Sequence, residues 1–500
     1  MKKFLPGICI TMLLSSCMVG PDYKPIAVTI PQQYKQAAKP QPGWKIATPA
    51  DTLDRGCWWQ IFQDPVLNDL EAQLNITNQN IASVAAQYAQ SLAIVKEAKA
   101  ALAPMVTGTI SASRQKPSAS AFNSTSGTGT GGVTPTNGSG RSLKPYSTYI
   151  ISFNASWAPD IWGAVRRVVE ADADVAQATN ALLAATRLSA QATLAQDYFE
   201  VRTLDNLQSV LDQTVKDDRK LLHLIKLRYQ YGIASAGDVL QTQSTLENAE
   251  VNAINNAIAR AQYEHAIAVL MGIPPALFSI DPKVTTLKPP IVPNEIPSEL
   301  LERRPDIAEA ERQAAAQNAQ IGEAVSNFFP VLTLTGAGGF QSNIFSKLIS
   351  SPASFWMIGA QLMGTLIDGG LRRAQLAAAE ASYDQAVANY RQTILNAFQN
   401  VEDGLVADRI LRKEEIAQRH AVNTSRAALR YQLENYKSGT VDLTTVLVAQ
   451  TNYLTTEQYE VNVVGRQMVT VVELITALGG GWDVNQLFNP PASPSPYFKN

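Results

Sequence analysis

Nowhere does the chain offer a run of about 18 apolar residues, so no helix can cross a bilayer, and any membrane-crossing part must be made of strands. Histidine is almost missing. His223, His265 and His420 sit on separate stretches without metal-ligand spacing, and no nucleophile elbow, phosphate loop or paired-cysteine motif occurs. An enzyme is therefore not expected, nor a metal or a bound cofactor. The alternative, an envelope hydrolase working with two carboxylates, would need a compact cleft. Its carboxylate runs, Asp217-Asp218 and Glu414-Glu415, read instead as solvated helix faces. Charge of either sign is also sparse: 41 Lys and Arg against 43 Asp and Glu leave a net charge of -2. That gives no basic field to hold a phosphate backbone, which excludes nucleic acid as a partner. What is present in quantity is hydrophobic side chain, 46% of 500 residues, ample for a large core.

The N-terminus sets the compartment. Lys2 and Lys3 precede an apolar stretch, Phe4 to Leu14, and Leu14-Ser15-Ser16-Cys17 follows at once. Residues 1–16 read as a signal peptide ending in a lipobox. The spacing resembles the bacterial lipoprotein cleavage site, where the cut falls before the cysteine and the thiol, here Cys17, takes diacylglycerol. Met18 rather than Asp after it favours the outer membrane, by analogy with other lipoproteins. Residues 17–64 form the lipidated N-terminal segment. Cleavage removes Cys9, so Cys57, between Trp58 and Trp59, keeps no protein partner and is expected to be a small buried hydrophobe.

The rest of the chain is one unit written twice. Tyr231-Gly232 with Val239-Leu240 and Gln243 recurs 207 residues later as Ser438-Gly439 with Val446-Leu447 and Gln450. Arg166-Arg167 recurs as Arg372-Arg373, and Ala103-Pro104 as Phe329-Pro330. The first repeat spans 65–290, the second 291–481, and 482–500 is a tail. About 20 extra residues lie in the first copy, where Phe122 to Gly140 is almost all Ser, Thr, Gly and Asn and reads as an exposed loop.

Strict alternation flanks that loop. Val106, Gly108, Ile110 and Ala112 oppose Thr107, Thr109, Ser111 and Ser113, because successive strand side chains point to opposite faces. Tyr149, Ile151, Phe153, Ala155 and Trp157 oppose Ser152, Asn154 and Ser156. The second copy repeats the pattern with Leu332, Leu334 and Phe340, then Trp356, Ile358, Ala360 and Leu362. Two hairpins result, each strand about as long as a tilted bilayer strand must be, with aromatics near the ends. Four strands cannot close a barrel, and bilayer strands cannot leave edges unpaired, so self-association is required.

Helical stretches fill the remainder: Pro65–Leu102, Asp160–Tyr229, Asp238–Met271, Pro305–Asn327, Gly370–Tyr436 and Thr445–Leu478. The longest would make a rod of about 100 Å. Runs such as Ala181 to Ala185 and Ala377 to Ala379 suit close helix packing. The fold class is α+β, mostly long α-helices with four transmembrane β-strands per chain.

In this order the features resemble the TolC-like outer-membrane efflux factors, in their lipoprotein (NodT-type) branch. The residues that carry the likeness are Val19-Gly20-Pro21-Asp22-Tyr23-Lys24-Pro25, Trp58-Trp59-Gln60-Ile61-Phe62 with Asp64-Pro65, and Arg303-Arg304-Pro305-Asp306-Ile307. Asp160-Ile161-Trp162-Gly163 and Asp368-Gly369-Gly370, each leading to paired arginines, add to it. The resemblance implies a homotrimer, its strands closing one 12-stranded barrel and its helices a periplasmic α-barrel. It implies a periplasmic adaptor and an inner-membrane pump as partners, docking at turns that map onto Gly232 and Gly439. It also implies a gate in which Tyr436 donates to Asp238, while the carboxylates and arginine that relatives often carry are missing at Thr445, Val448 and Val441. No cofactor is implied beyond the lipid on Cys17. A duct for secreted polypeptides and a passive pore remain the competing readings.

Overall fold

The computed structural model describes residues 18–28, 35, 55–116, 145–290 and 304–480; Cys17 and the loop Phe122–Gly140 lie outside the described residues. Helix α1 (Pro65–Thr77) opens on Asp64, whose carboxylate accepts the backbone N–H groups of Val66 and Leu67. Pro65 occupies the first helical position, where no donor is needed. The single helix expected over Pro65–Leu102 is in fact two. Asn78 adopts extended backbone between α1 and α2 (Gln79–Ala100), accepting from Ile81 N–H and donating to the Leu270 carbonyl. A side chain with a partner elsewhere in the fold can break a helix that carries no Gly or Pro signal.

Helices α3 (Ala164–Gln230), α4 (Ala236–Leu270), α5 (Pro305–Ser326), α6 (Leu371–Lys437) and α7 (Leu443–Ala477) follow. The paired helices of the two halves are equal in length: 22 residues in α2 and α5, 67 in α3 and α6, 35 in α4 and α7. Contacts repeat as well as lengths. Arg219 ties α3 to α4 through Glu250 at 2.7 Å, and Arg426 ties α6 to α7 through Glu457 at 3.2 Å, each residue 207 positions on. The start of α3 lies a few residues later than expected, because Asp160 caps it by accepting from the N–H groups of Val165 and Arg166.

Two compact units divide the chain, one comprising residues 1–23, 93–173 and 315–383, the other 24–92, 174–314 and 384–500, so each repeat contributes to both. The first unit holds an antiparallel sheet of β1 (Met105–Gln115), β2 (Tyr146–Trp157), β3 (Val331–Ser342) and β4 (Ser354–Met363), in that spatial order. The register pairs Ile110 with Ile151, Ile151 with Phe340, and Gly336 with Ile358, so the four apolar alternations merge into one face. That face is exposed at Val106, Ile110, Phe153, Trp356, Ile358 and Leu362. On the opposite face a Cβ at Gly339 would meet the Ile151 carbonyl at 2.1 Å, so only glycine lets β3 approach β2 this closely. Among the described residues, β1 and β4 each pair on one side only.

The second unit buries Trp58, Trp59, Leu67, Leu74, Tyr198, Phe199, Met271 and Met468 in its main core. Cys57 does not join them. It breaks the short helical turn Arg55–Phe62 (φ -124°, ψ 53°), which sends the two tryptophans inward and leaves the thiol exposed, contrary to the buried role expected for it.

Candidate gate and N-terminal clamp

The reversal between α3 and α4 is built by one residue's conformation. Gly232 has φ +72°, the Ile233 N–H reaches back to the Arg228 carbonyl at 2.8 Å, and the Gly232 N–H to the Tyr229 carbonyl at 2.9 Å. The second reversal is its copy: Gly439 has φ +79°, Thr440 N–H bonds the Asn435 carbonyl at 3.0 Å, and Gly439 N–H the Tyr436 carbonyl at 3.1 Å. A Cβ at either glycine would touch nothing within 4 Å, so the left-handed backbone alone demands glycine. After each glycine a side chain caps the next helix: Ser235 Oγ accepts from Asp238 N–H, and Asp442 Oδ1 from Thr445 N–H. Gly232 and Gly439 are thus at turns, as the sequence indicates.

Among the described residues no hydrogen bond joins Tyr436 to Asp238. The Asp238 carboxylate is used locally, accepting the Ser235 N–H at 2.9 Å to complete a capping box. Tyr436 instead lies under the Arg228 guanidinium, 4.4 Å from its ring centroid, and Arg228 Nη1 donates to the Tyr436 carbonyl at 3.1 Å. Burial pushes the Tyr436 hydroxyl's pKa up; Arg228 opposes that shift and Asp238 adds to it. Asp238 therefore acts on Tyr436 through its charge, while the direct link between α3 and α6 belongs to Arg228. The only sequence signal for Arg228 was its basic charge in the last helical turn.

A second link lies deeper. Asp218, read as part of a solvated face, is buried, and its carboxylate accepts from the Gln450 amide, joining α3 to α7. Burial pushes Asp218 up to about 6, with the neighbouring Asp217 charge adding and the Gln450 bond opposing. Leu221 and Ile225 on α3 pack with Tyr436, Leu443 and Val446 between the two links. Arg228 and Asp218 both point from the first repeat to the second, so the end of this unit is fastened by α3.

In the other unit the segment that would follow Cys17 is gripped. Arg167, with no exposed surface, donates to the carbonyls of Val19 and Gly20 and to Asp22 Oδ1 at 3.1, 3.3 and 2.9 Å. Asn318 donates to the Pro21 carbonyl at 3.0 Å. Gly20 abuts Gly322 on α5 so closely that a Cβ would lie 2.4 Å from the Gly322 Cα. The sequence marked this segment and the paired arginines separately; what joins them is visible only in three dimensions. Arg372 in the second repeat repeats the role of Arg166, bonding Asp368 as Arg166 bonds Asp160.

The outer membrane efflux protein family profile matches residues 71–273 and 296–480. The chain is 29% identical over 487 residues to the toluene efflux pump outer membrane protein TtgC of Pseudomonas putida, covering 96% of both chains. It is 25% identical over 484 residues to the cation efflux system protein CusC of Escherichia coli, covering 96% of this chain and 99% of that one. The solved outer-membrane channel OprN superposes with a TM-score of 0.83 at 26% identity, over 93% of this chain and all of its own. With the long helical hairpins, the open sheet and a match over most of its length, the chain belongs to the outer membrane efflux protein family.

Proposed function

We propose that three copies of this chain, each lipidated at Cys17, form the outer-membrane exit duct of a tripartite efflux system, receiving small toxic compounds from an inner-membrane pump through a periplasmic adaptor. The observation that carries this reading is the sheet. Its apolar face is exposed and its edges, β1 and β4, are unpaired among the described residues, a state that hydrocarbon does not tolerate. Three copies bring twelve strands, enough for a barrel with a passage. Movement of solute through a conduit needs no catalytic group, which fits the chemistry the sequence carries.

TtgC is named for toluene and CusC for cations, yet both share this frame. A common duct with unlike cargo supports selection upstream, by the pump. The adaptor is assigned to the turns at Gly232 and Gly439, which present exposed Tyr231 and Ile233 on one side and Ser438 and Thr440 on the other.

The test uses a photocrosslinking residue at Tyr231 or Ser438 in living cells, since the glycines themselves must keep positive φ. Capture of a periplasmic adaptor together with a proton-driven pump supports the reading. An ATP-driven exporter handling polypeptides would replace efflux with secretion, and no neighbour at either position, with a conducting pore in planar bilayers, would leave a passive pore.

A further inference from the structure

The helical pairs of the two repeats obey one offset. Beyond the paired arginines, which stand 206 apart, α3 and α6, and likewise α4 and α7, correspond at 207 positions, and their turns, caps and the Arg219–Glu250 and Arg426–Glu457 bridges repeat at that spacing. The seam inside the chain joins α3 to α6 and α7. It carries Arg228 on Tyr436, Asp218 on Gln450, and a close approach in which a Cβ on Gly465 would meet Thr203 Oγ1 at 2.5 Å. A ring of alternating first and second repeats closes only if each second repeat meets the next first repeat through the corresponding surfaces, a head-to-tail interface. Advancing each contact by the offset gives its image: Asn435 against Tyr229, Ser425 facing Gln243, and Ile410 against Ile258 of the next copy.

The exposed surface agrees with two of those images, at Tyr229 and at Ile410 and Ile258, whereas Ser425 is covered within its own chain. Tyr436 is 6% exposed, whereas its image Tyr229 is 50% exposed. Thr203 is buried in the chain, whereas its image Ile410 is 52% exposed; the image of Gly465, Ile258, is 57% exposed. Large apolar residues thus stand uncovered at the positions whose counterparts are covered within the chain.

We infer that the seam between copies is a neutral counterpart of the charged seam within each chain, with Tyr229 and Ile258 of one copy packed against Asn435 and Ile410 of the next. This rests on the trimeric duct proposed above. Where the inner seam has a guanidinium on Tyr436 and a buried carboxylate on Gln450, the outer one has an amide and a hydroxyl. The Ser425 hydroxyl is already committed to Thr456 Oγ1 at 2.8 Å within its own chain. The ring therefore alternates three stronger and three weaker joints, and the weaker ones lie between copies.

The full-length protein carrying Cys57→Ser, to remove the exposed thiol, tests this with Ile258→Cys and Ile410→Cys together. Mild oxidation should give covalent dimers and trimers on a non-reducing gel. Only monomer, from a protein whose mass in detergent is still that of a trimer, overturns the seam and leaves the trimer standing; a protein that is not trimeric overturns both. Asn435→Arg supplies a second readout. It rebuilds the cation over Tyr229 and should raise the temperature at which the trimer dissociates, whereas an unchanged or lowered temperature contradicts the assigned contact.

Discussion

At the end of α3 and α4 the side chains Tyr229, Tyr231 and Ile233 are half or more exposed, while at the end of α6 and α7 the matching positions hold buried Tyr436 and the small polar Ser438 and Thr440. The backbone of the two turns is the same to within a few degrees and tenths of an ångström. Duplication has kept the hydrogen-bonded geometry and let the surface chemistry diverge. Main-chain reversals tolerate little variation, because each unpaired donor or acceptor costs free energy, whereas a side chain on the outside of a turn is constrained only by whatever meets it.

The sharpest contrast between repeats is at the paired arginines. Arg167 is fully buried on the Val19–Asp22 segment, while its counterpart Arg373 is exposed. Arg167→Ala should release that segment and cost about 3 kcal/mol, read as rapid chymotryptic cleavage after Tyr23 and a lower melting temperature. Arg373→Ala should stay within about 0.5 kcal/mol of wild type. Equal effects would mean that the repeats do not differ here.

Next in size is the link across the turns. Arg228→Ala removes both a cation–π contact and a hydrogen bond to a carbonyl. A loss of about 2 kcal/mol and a clear rise in single-channel conductance in planar bilayers are expected. Tyr436→Phe keeps the ring under Arg228 and should conduct like wild type, and Asp238→Ala should cost only the local cap, about 1 kcal/mol. A conductance rise in Tyr436→Phe matching that of Arg228→Ala would restore the hydroxyl to the gate.

The smallest effect depends on pH. Asp218 has its folded pKa raised to about 6 from an ordinary carboxylate value near 3.8. Below the lower value it is protonated in both states and costs nothing. As pH rises through the two values the unfolded chain gives up this proton first, so stability falls and stays lower above about 6. Asp218→Asn keeps the oxygen that accepts from Gln450 and removes that penalty. Its melting temperature should exceed wild type at about pH 7.5 and match it near pH ~3. A gain that is the same at both pH values would show that charge is not the cause.

Much of this molecule was legible in its letters. Strand alternation gave both hairpins and their common apolar face, since side chains on a strand alternate whatever surrounds it. The turn glycines declared themselves because few other residues accept positive φ. Local sequence failed where a distant partner decided. Asn78 breaks a continuous helical pattern because Leu270 lies beside it, Cys57 turns outward because two tryptophans turn inward, and Asp218 is buried where it meets the Gln450 amide of another helix.

The sequence by itself determined the duplication and the types of the elements, because these follow from periodicity. Only the tertiary structure decided who holds whom. Arg228 takes Tyr436 in place of Asp238, and Arg167 grips the segment after Cys17, because pairing between residues far apart in sequence depends on which helix faces meet. A charge written in the sequence has no partner until folding brings one within a few ångströms.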